Sequence, residues 1–313
     1  MKVQLVTLIA ACLLPTALSE GSSAVWCYNL PSCNSTTWPI DIPEHCSGTK
    51  QSPVNIVTAN IQGDASLVAF NFAGFDDSSA VLQIQNADGK SVKVSLDDSK
   101  VNVSGGGLPG VYVSEQFHIH WGNGSSSAGS EHTVDGKQYA MELHIVNIKS
   151  IYPNVTAALA DPTGLAVLGF FIEATSDSGK PQSWKNLTSY LSSIPNNGNT
   201  LDIMNTITLN SLLQGVDKTK YYRYNGSLTT PSCNEGVVWT VFKDTIKVSQ
   251  DLINLFSTTL YINTKSGPLI TNNFRPVQKL NNRVIKSQVS SASTLYPALS
   301  ISTALLIYTL SWL

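Results

Sequence analysis

Five histidines occur in the 313 residues, and three of them fall in two short segments built alike. In Gln116-Phe117-His118-Ile119-His120-Trp121 and in Met141-Glu142-Leu143-His144-Ile145, polar and apolar residues alternate. Alternation at period two marks a half-buried β-strand, whose residues two apart project from one face. His118 and His120 therefore share a face, and so do Glu142 and His144. If the two strands are neighbours, three imidazoles converge. Three neutral nitrogens with a fourth position open form the donor set of a catalytic zinc ion. Gln116 and Glu142 each precede a ligand candidate by two residues on the same face, where each can hold the second ring nitrogen of a histidine. A single histidine on a strand is most simply a hydrogen-bonded core residue. Three of five, each with a polar partner, favour a metal. No HExxH segment is present, which disfavours a helix-based zinc protease.

The elements that must position these groups are mostly strands. Runs with strand character cover 67–72, 81–85, 92–96, 111–120, 140–148, 166–173 and 237–242. They are separated by turn clusters such as Asn86-Ala87-Asp88-Gly89 and Gly105-Gly106-Gly107. Helical spacing is clearest over 181–193 and over 249–261, where Leu252, Leu255, Phe256 and Leu260 recur. No internal repeat or low-complexity linker divides the chain. The expected fold is mixed and β-dominated, a single domain with a large, mostly antiparallel, twisted central sheet and short peripheral helices.

The two ends read as processing signals. Met1, Lys2, the apolar run 3–14 and Ala17-Leu18-Ser19 have the layout of a secretory signal peptide over 1–19, cleaved before Glu20. Residues 295–313 are apolar and uncharged, and follow the small polar stretch 287–294. That is the pattern of a glycosylphosphatidylinositol (GPI) attachment signal, with Ser290 or Ser287 as the attachment residue. A spanning tail helix is the competing reading, disfavoured because no basic residues follow it. The domain itself then occupies 20–286, and the expected location is the outer face of the plasma membrane.

Composition agrees with an extracellular protein. Charged residues make up only 13% against the usual ~25%, with a net charge of -2, which argues against a nucleic-acid partner. Six sequons stand at Asn34, Asn102, Asn123, Asn154, Asn186 and Asn225 and are candidate glycosylation sites. Cys12 leaves with the signal peptide; Cys27, Cys33, Cys46 and Cys233 remain and allow three pairings.

Six segments, in order, extend the histidine pattern: Gln51-Ser52-Pro53-Val54-Asn55-Ile56, His118-Ile119-His120-Trp121-Gly122, Gly129-Ser130-Glu131-His132, Glu142-Leu143-His144-Ile145-Val146, Gly226-Ser227-Leu228-Thr229-Thr230-Pro231 and Phe274-Arg275-Pro276. Together, over about residues 26 to 286, they resemble the signature set of the alpha-class carbonic anhydrases. The cysteines and the lipid-anchor signal make the chain similar to the membrane-anchored type IV or type XV branch. The resemblance implies one Zn2+ on His118, His120 and His144, with Gln116, Glu142 and the Asn273 backbone carbonyl holding the ligands. It implies reversible CO2 hydration to bicarbonate by zinc-hydroxide attack. In that scheme Thr229 accepts a hydrogen bond from the hydroxide and passes its own proton toward Glu131. Thr230 lines the bicarbonate and sulfonamide site, Val146, Val167, Leu228 and Trp239 form the CO2 pocket, and Tyr28 holds part of a water network. The disulfides implied are Cys27–Cys33 and Cys46–Cys233. Bicarbonate or proton transporters are the expected neighbours in the membrane.

One position departs from the family. The fastest relatives carry a proton-shuttling histidine after the Asn-Gly turn, where this chain has Asp88-Gly89-Lys90. A proton relay works best with a pKa near the operating pH, and a lysine is ordinarily a far stronger base. Neither His45 nor His132 occupies that position, so slowed proton transfer is expected. The alternative for the whole chain is a noncatalytic ectodomain that keeps the fold for cell-surface binding. The intact histidines, Glu131 and Thr229 favour the enzyme.

Overall fold

Alternation in the sequence becomes alternation of burial. Along Ser91–Leu96 every second residue is buried, while Met141–Lys149 and most of Leu165–Thr175 are buried on both faces and lie mid-sheet. The structure, a computed structural model, describes residues 25–289. The expected signal peptide and Ser290 lie outside the described residues, as does most of the expected GPI signal.

Among the described residues a thirteen-stranded sheet dominates. Its main path runs Thr200–Asp202, Val81–Ala87, Ser91–Leu96, Tyr112–Trp121, Met141–Lys149, Leu165–Thr175, Val237–Phe242, Tyr221–Gly226, Lys286–Ser287 and Gln62–Gly63. The pairing is mostly antiparallel. Three contacts are parallel: Leu165–Thr175 with Val237–Phe242 and with Ile246–Ser249, and Lys286–Ser287 with Gln62–Gly63. The helices Gln182–Ser189 and Gln250–Thr259 pack at the periphery through Trp184, Leu187, Leu252, Ile253 and Phe256. The expected β-dominated single domain is the fold observed.

Three local expectations need correction. The run 67–72 is a strand only over Phe70–Ala73, because Asp64 accepts from the Ser66 N–H and hydroxyl and turns the chain there. The helix expected over 181–193 ends at Ser189 and continues as a 3-10 turn, Leu191–Ser193. Leu255, placed by spacing on the buried stripe, instead faces solvent.

The sheet separates two apolar clusters. The larger holds Phe117, Ile119, Leu143, Ile145, Phe170 and Phe242; the smaller, on the other face, holds Val146, Val167, Tyr224 and Trp239. A third cluster gathers Trp38 around the Cys46–Cys233 disulfide, with Trp26 and Tyr28 packed against it. Cys27 and Cys33 form the second disulfide. Both pairings are the ones the resemblance implies.

Candidate metal centre and its cleft

The strands Tyr112–Trp121 and Met141–Lys149 are antiparallel neighbours, with His144 opposite His118 and Glu142 opposite His120. Period-two projection then brings the three imidazoles together, with ring centroids 4.7 to 5.2 Å apart. One ligand atom from each lies within 4.8 Å of the others.

Each ring has one nitrogen engaged and one free. His118 Nδ1 donates to Gln116 Oε1 at 3.0 Å, and His120 Nδ1 donates to the Asn273 carbonyl at 2.8 Å. His144 Nε2 donates to Glu142 Oε1 at 2.7 Å. These bonds leave His118 Nε2, His120 Nε2 and His144 Nδ1 with lone pairs for the cluster centre. His120 Nε2 is buried without a protein hydrogen-bond partner. An orphaned buried nitrogen is costly unless something binds it, and a metal ion fits this donor set.

Protonation agrees. Desolvation holds His118 well below the ordinary imidazole range, helped by its two histidine neighbours, and lowers His144. His120 is lowered to about 4, again by burial. All three are therefore neutral at pH 7, the state that ligates.

Glu142 anchors the cluster from below. Its carboxylate accepts from the backbone N–H groups of Glu131 and His132, from His132 Nδ1 and from His144 Nε2. Burial alone would raise its pKa, but His132 and His144 outweigh burial and hold it well below the carboxylate range. His132 Nε2 in turn accepts from the Tyr224 hydroxyl at 2.6 Å, which lies 2.9 Å from Ser52 Oγ, an acceptor for the Ser227 N–H. No role for His132, Tyr224 or Ser52 is evident from local spacing. They meet from distant parts of the chain, and only the position of Ser52 and His132 within quoted segments singles them out.

Glu131 sits beside the free nitrogens. One oxygen accepts from the Arg275 N–H at 2.8 Å; the other is 3.4 Å from His120 Nε2 and 3.8 Å from His144 Nδ1. Burial raises its pKa to about 7, and the nearby Thr229 hydroxyl restrains that rise. Thr229 is buried and Thr230 half-buried at the same loop.

The chain matches the eukaryotic-type carbonic anhydrase family over residues 33–289. It belongs to that family. Carbonic anhydrase 4 of Oryctolagus cuniculus is 39% identical over 273 residues, covering 86% of this chain and 86% of the relative. Carbonic anhydrase 12 of Homo sapiens is 35% identical over 301 residues, covering 93% and 82%, and carbonic anhydrase 15 of Mus musculus is 33% identical over 307 residues, covering 92% of each. Carbonic anhydrases catalyse CO2 hydration, and the histidine triad of this one is able to bind a metal.

Of the remaining expected residues, Trp239 packs against His144, with ring centroids 4.8 Å apart. Val146, Val167 and Trp239 stand side by side on three adjacent strands, with Leu228 packed against them. Tyr28 is half-buried, and burial together with the Glu131 charge raises its pKa well above the phenol range. Lys90 closes a turn in which Asp88 and Gly89 both have positive φ, 54° and 63°. A Cβ at Gly89 would stand 1.8 Å from the Ile262 carbonyl oxygen, so only glycine lets this turn seat there. Of the six sequon asparagines, none is buried. Ser287 is buried in the strand Lys286–Ser287.

Proposed function

We propose that His118 Nε2, His120 Nε2 and His144 Nδ1 hold one zinc ion and that this centre hydrates CO2 reversibly to bicarbonate and a proton. The convergence of three free ring nitrogens, one of them buried without a partner, carries the assignment. Zinc bound there supplies Lewis-acid chemistry that makes water nucleophilic at neutral pH.

The protein's own groups do the positioning. Gln116, Glu142 and the Asn273 carbonyl fix each ring's tautomer. In this reading the Thr229 hydroxyl turns its proton toward the nearby Glu131 carboxylate, so its oxygen can only accept from the attacking oxygen's proton, which aims that oxygen's lone pair at the substrate. Val146, Val167, Leu228 and Trp239 give CO2 an apolar wall, while Thr230 faces the anion formed and the sulfonamide inhibitors that compete with it. Tyr28 holds water at the cleft. Lys90 is a poor proton relay, so buffer sets the pace of proton removal.

The domain 20–286 acts at the outer cell surface, released from its signal peptide over 1–19 and held by a GPI lipid added within 287–313. Two disulfides, a low charge content and six unburied sequons (Asn34, Asn102, Asn123, Asn154, Asn186 and Asn225) support an extracellular setting. Attachment at Ser287 would end the chain inside its last strand; attachment at Ser290 would leave a short tether. Bicarbonate or proton transporters in the same membrane are the partners this product chemistry suits.

The deciding experiment measures zinc content together with sulfonamide-sensitive CO2 hydration on the purified protein. About one zinc per chain with inhibitable activity is expected; a metal-free, inactive protein overturns the assignment in favour of a noncatalytic surface role. Phosphatidylinositol-specific phospholipase C should release the protein from cells, and resistance would point to a spanning tail.

A further inference from the structure

Across the sheet from the histidines, a cavity of about 360 Å3 lies against the strand Tyr221–Gly226. Tyr222 and Tyr224 of that strand join the cluster on the catalytic side, whereas Tyr221 joins the opposite cluster. Arg223 projects with Tyr221, away from the metal centre.

Arg223 is only 7% exposed. Its Nε and Nη2 donate to Thr240 Oγ1 at 3.2 and 3.0 Å, and Nη2 also donates to the Gly106 carbonyl at 2.8 Å. Phe70 and Tyr221 flank the guanidinium at 5.8 and 5.6 Å. No carboxylate among the described residues pairs with it. Nη1 has no protein acceptor there and faces the cavity beside Gly107, where an added Cβ would stand only 3.7 Å away. A buried cation whose open donors face a cavity calls for an anion.

The rim sets the charge and kind of that anion. Lys286 Nζ is 2.8 Å from Asp64, which also accepts from Ser66, so these two charges cancel and the cavity keeps that of Arg223. One negative charge neutralises it. A dianionic phosphate would meet Asp64 with its second charge. The volume is also many times the ~30 Å3 share of one water, which leaves room for a body behind the charged head. Leu67, Pro109 and Val284 supply apolar wall. We propose that this cavity binds a small organic carboxylate, its head on Arg223 Nη1 and its body against those three side chains.

The test uses the zinc-loaded full-length protein with its catalytic cleft saturated by a sulfonamide, so that no carboxylate can report on the metal. Benzoate titrated by calorimetry should bind one site. Arg223→Lys should weaken it about tenfold or more, Lys286→Gln about threefold, and Asp64→Asn should tighten it about threefold. Val284→Trp, filling the mouth from an exposed position, should abolish binding. CO2 hydration without sulfonamide should be unchanged in all four. No benzoate binding with the cleft blocked overturns the proposal, as does binding indifferent to Asp64→Asn and Val284→Trp. Those two variants decide the question even if Arg223→Lys fails to fold. Inorganic phosphate binding as tightly as benzoate overturns the carboxylate assignment.

Discussion

The Lys90 ammonium stands 4.4 Å above the Trp26 ring, a cation–π pair that ties the turn after Val81–Ala87 to the N-terminal segment. The same turn is tied to the metal centre through the backbone, because Asn273 donates to the Lys90 carbonyl while accepting from His120. Such a pair holds the ammonium against the indole face. At low buffer, Lys90→His should raise CO2 hydration by a few-fold to about 100-fold. Added imidazole should raise the parent's rate and do little for the variant. Stopped-flow hydration across a buffer series checks both; a rate indifferent to each would mean that proton transfer is not limiting.

Glu142 holds two histidines through one oxygen, His132 and His144. Glu142→Gln keeps the shape but presents an amide where two imidazole N–H groups need acceptors. Zinc affinity should fall about 10- to 100-fold, read by chelator competition. An unchanged affinity would remove Glu142 from the tautomer-fixing role.

The metal-free protein should lose stability in acid. His118, His120 and His144 have folded pKa values below the unfolded 6.5, so the unfolded chain binds more protons as pH falls below about 6.5. Glu131, raised to about 7, does the reverse and takes up a proton in the folded state. Its uptake offsets one imidazole over the range between the unfolded carboxylate and imidazole pKa values. Each uncompensated imidazole contributes about 1.4 kcal/mol per pH unit. Glu131→Gln should therefore steepen the loss by about one proton between pH 6.5 and 5, measured by denaturant titration at several pH values. A slope unchanged by Glu131→Gln would contradict this accounting.

The Cys46–Cys233 bridge spans a sequence separation of 187 and lies four residues from Thr229. Replacing both cysteines by alanine should cost roughly 5 kcal/mol in the chain-entropy model. Equilibrium unfolding measures that cost, and a loss below about 1 kcal/mol would show that the unfolded chain gains little freedom.

The candidate metal site was legible because its signal is local. Three histidines and two polar partners sit at period two on neighbouring strands, and strand geometry alone projects them together. The strand Val237–Phe242 was read to its ends because its residues are uniformly apolar or β-branched. Tyr221–Gly226 was missed for the opposite reason. It is buried on both faces yet carries Arg223 and four further polar-capable side chains, so neither alternation nor an apolar run marks it. The two-residue strands Gln62–Gly63 and Lys286–Ser287 are defined by distant partners, Gln62–Gly63 by Lys286–Ser287 and Lys286–Ser287 in turn by Tyr221–Gly226. Tyr224, Ser52 and Arg275 reach the site across separations of 92 to 224 residues, which no local pattern encodes.

The long disulfide has one further result. All three candidate metal ligands, Glu131 and Thr229 lie between Cys46 and Cys233. A protease that cuts any exposed loop in this interval leaves both fragments covalently joined, with the cut ends still held by neighbouring strands. At the proposed cell-surface location, where proteases are abundant and damaged copies cannot be refolded by cytosolic chaperones, a nicked molecule would remain assembled around its histidines.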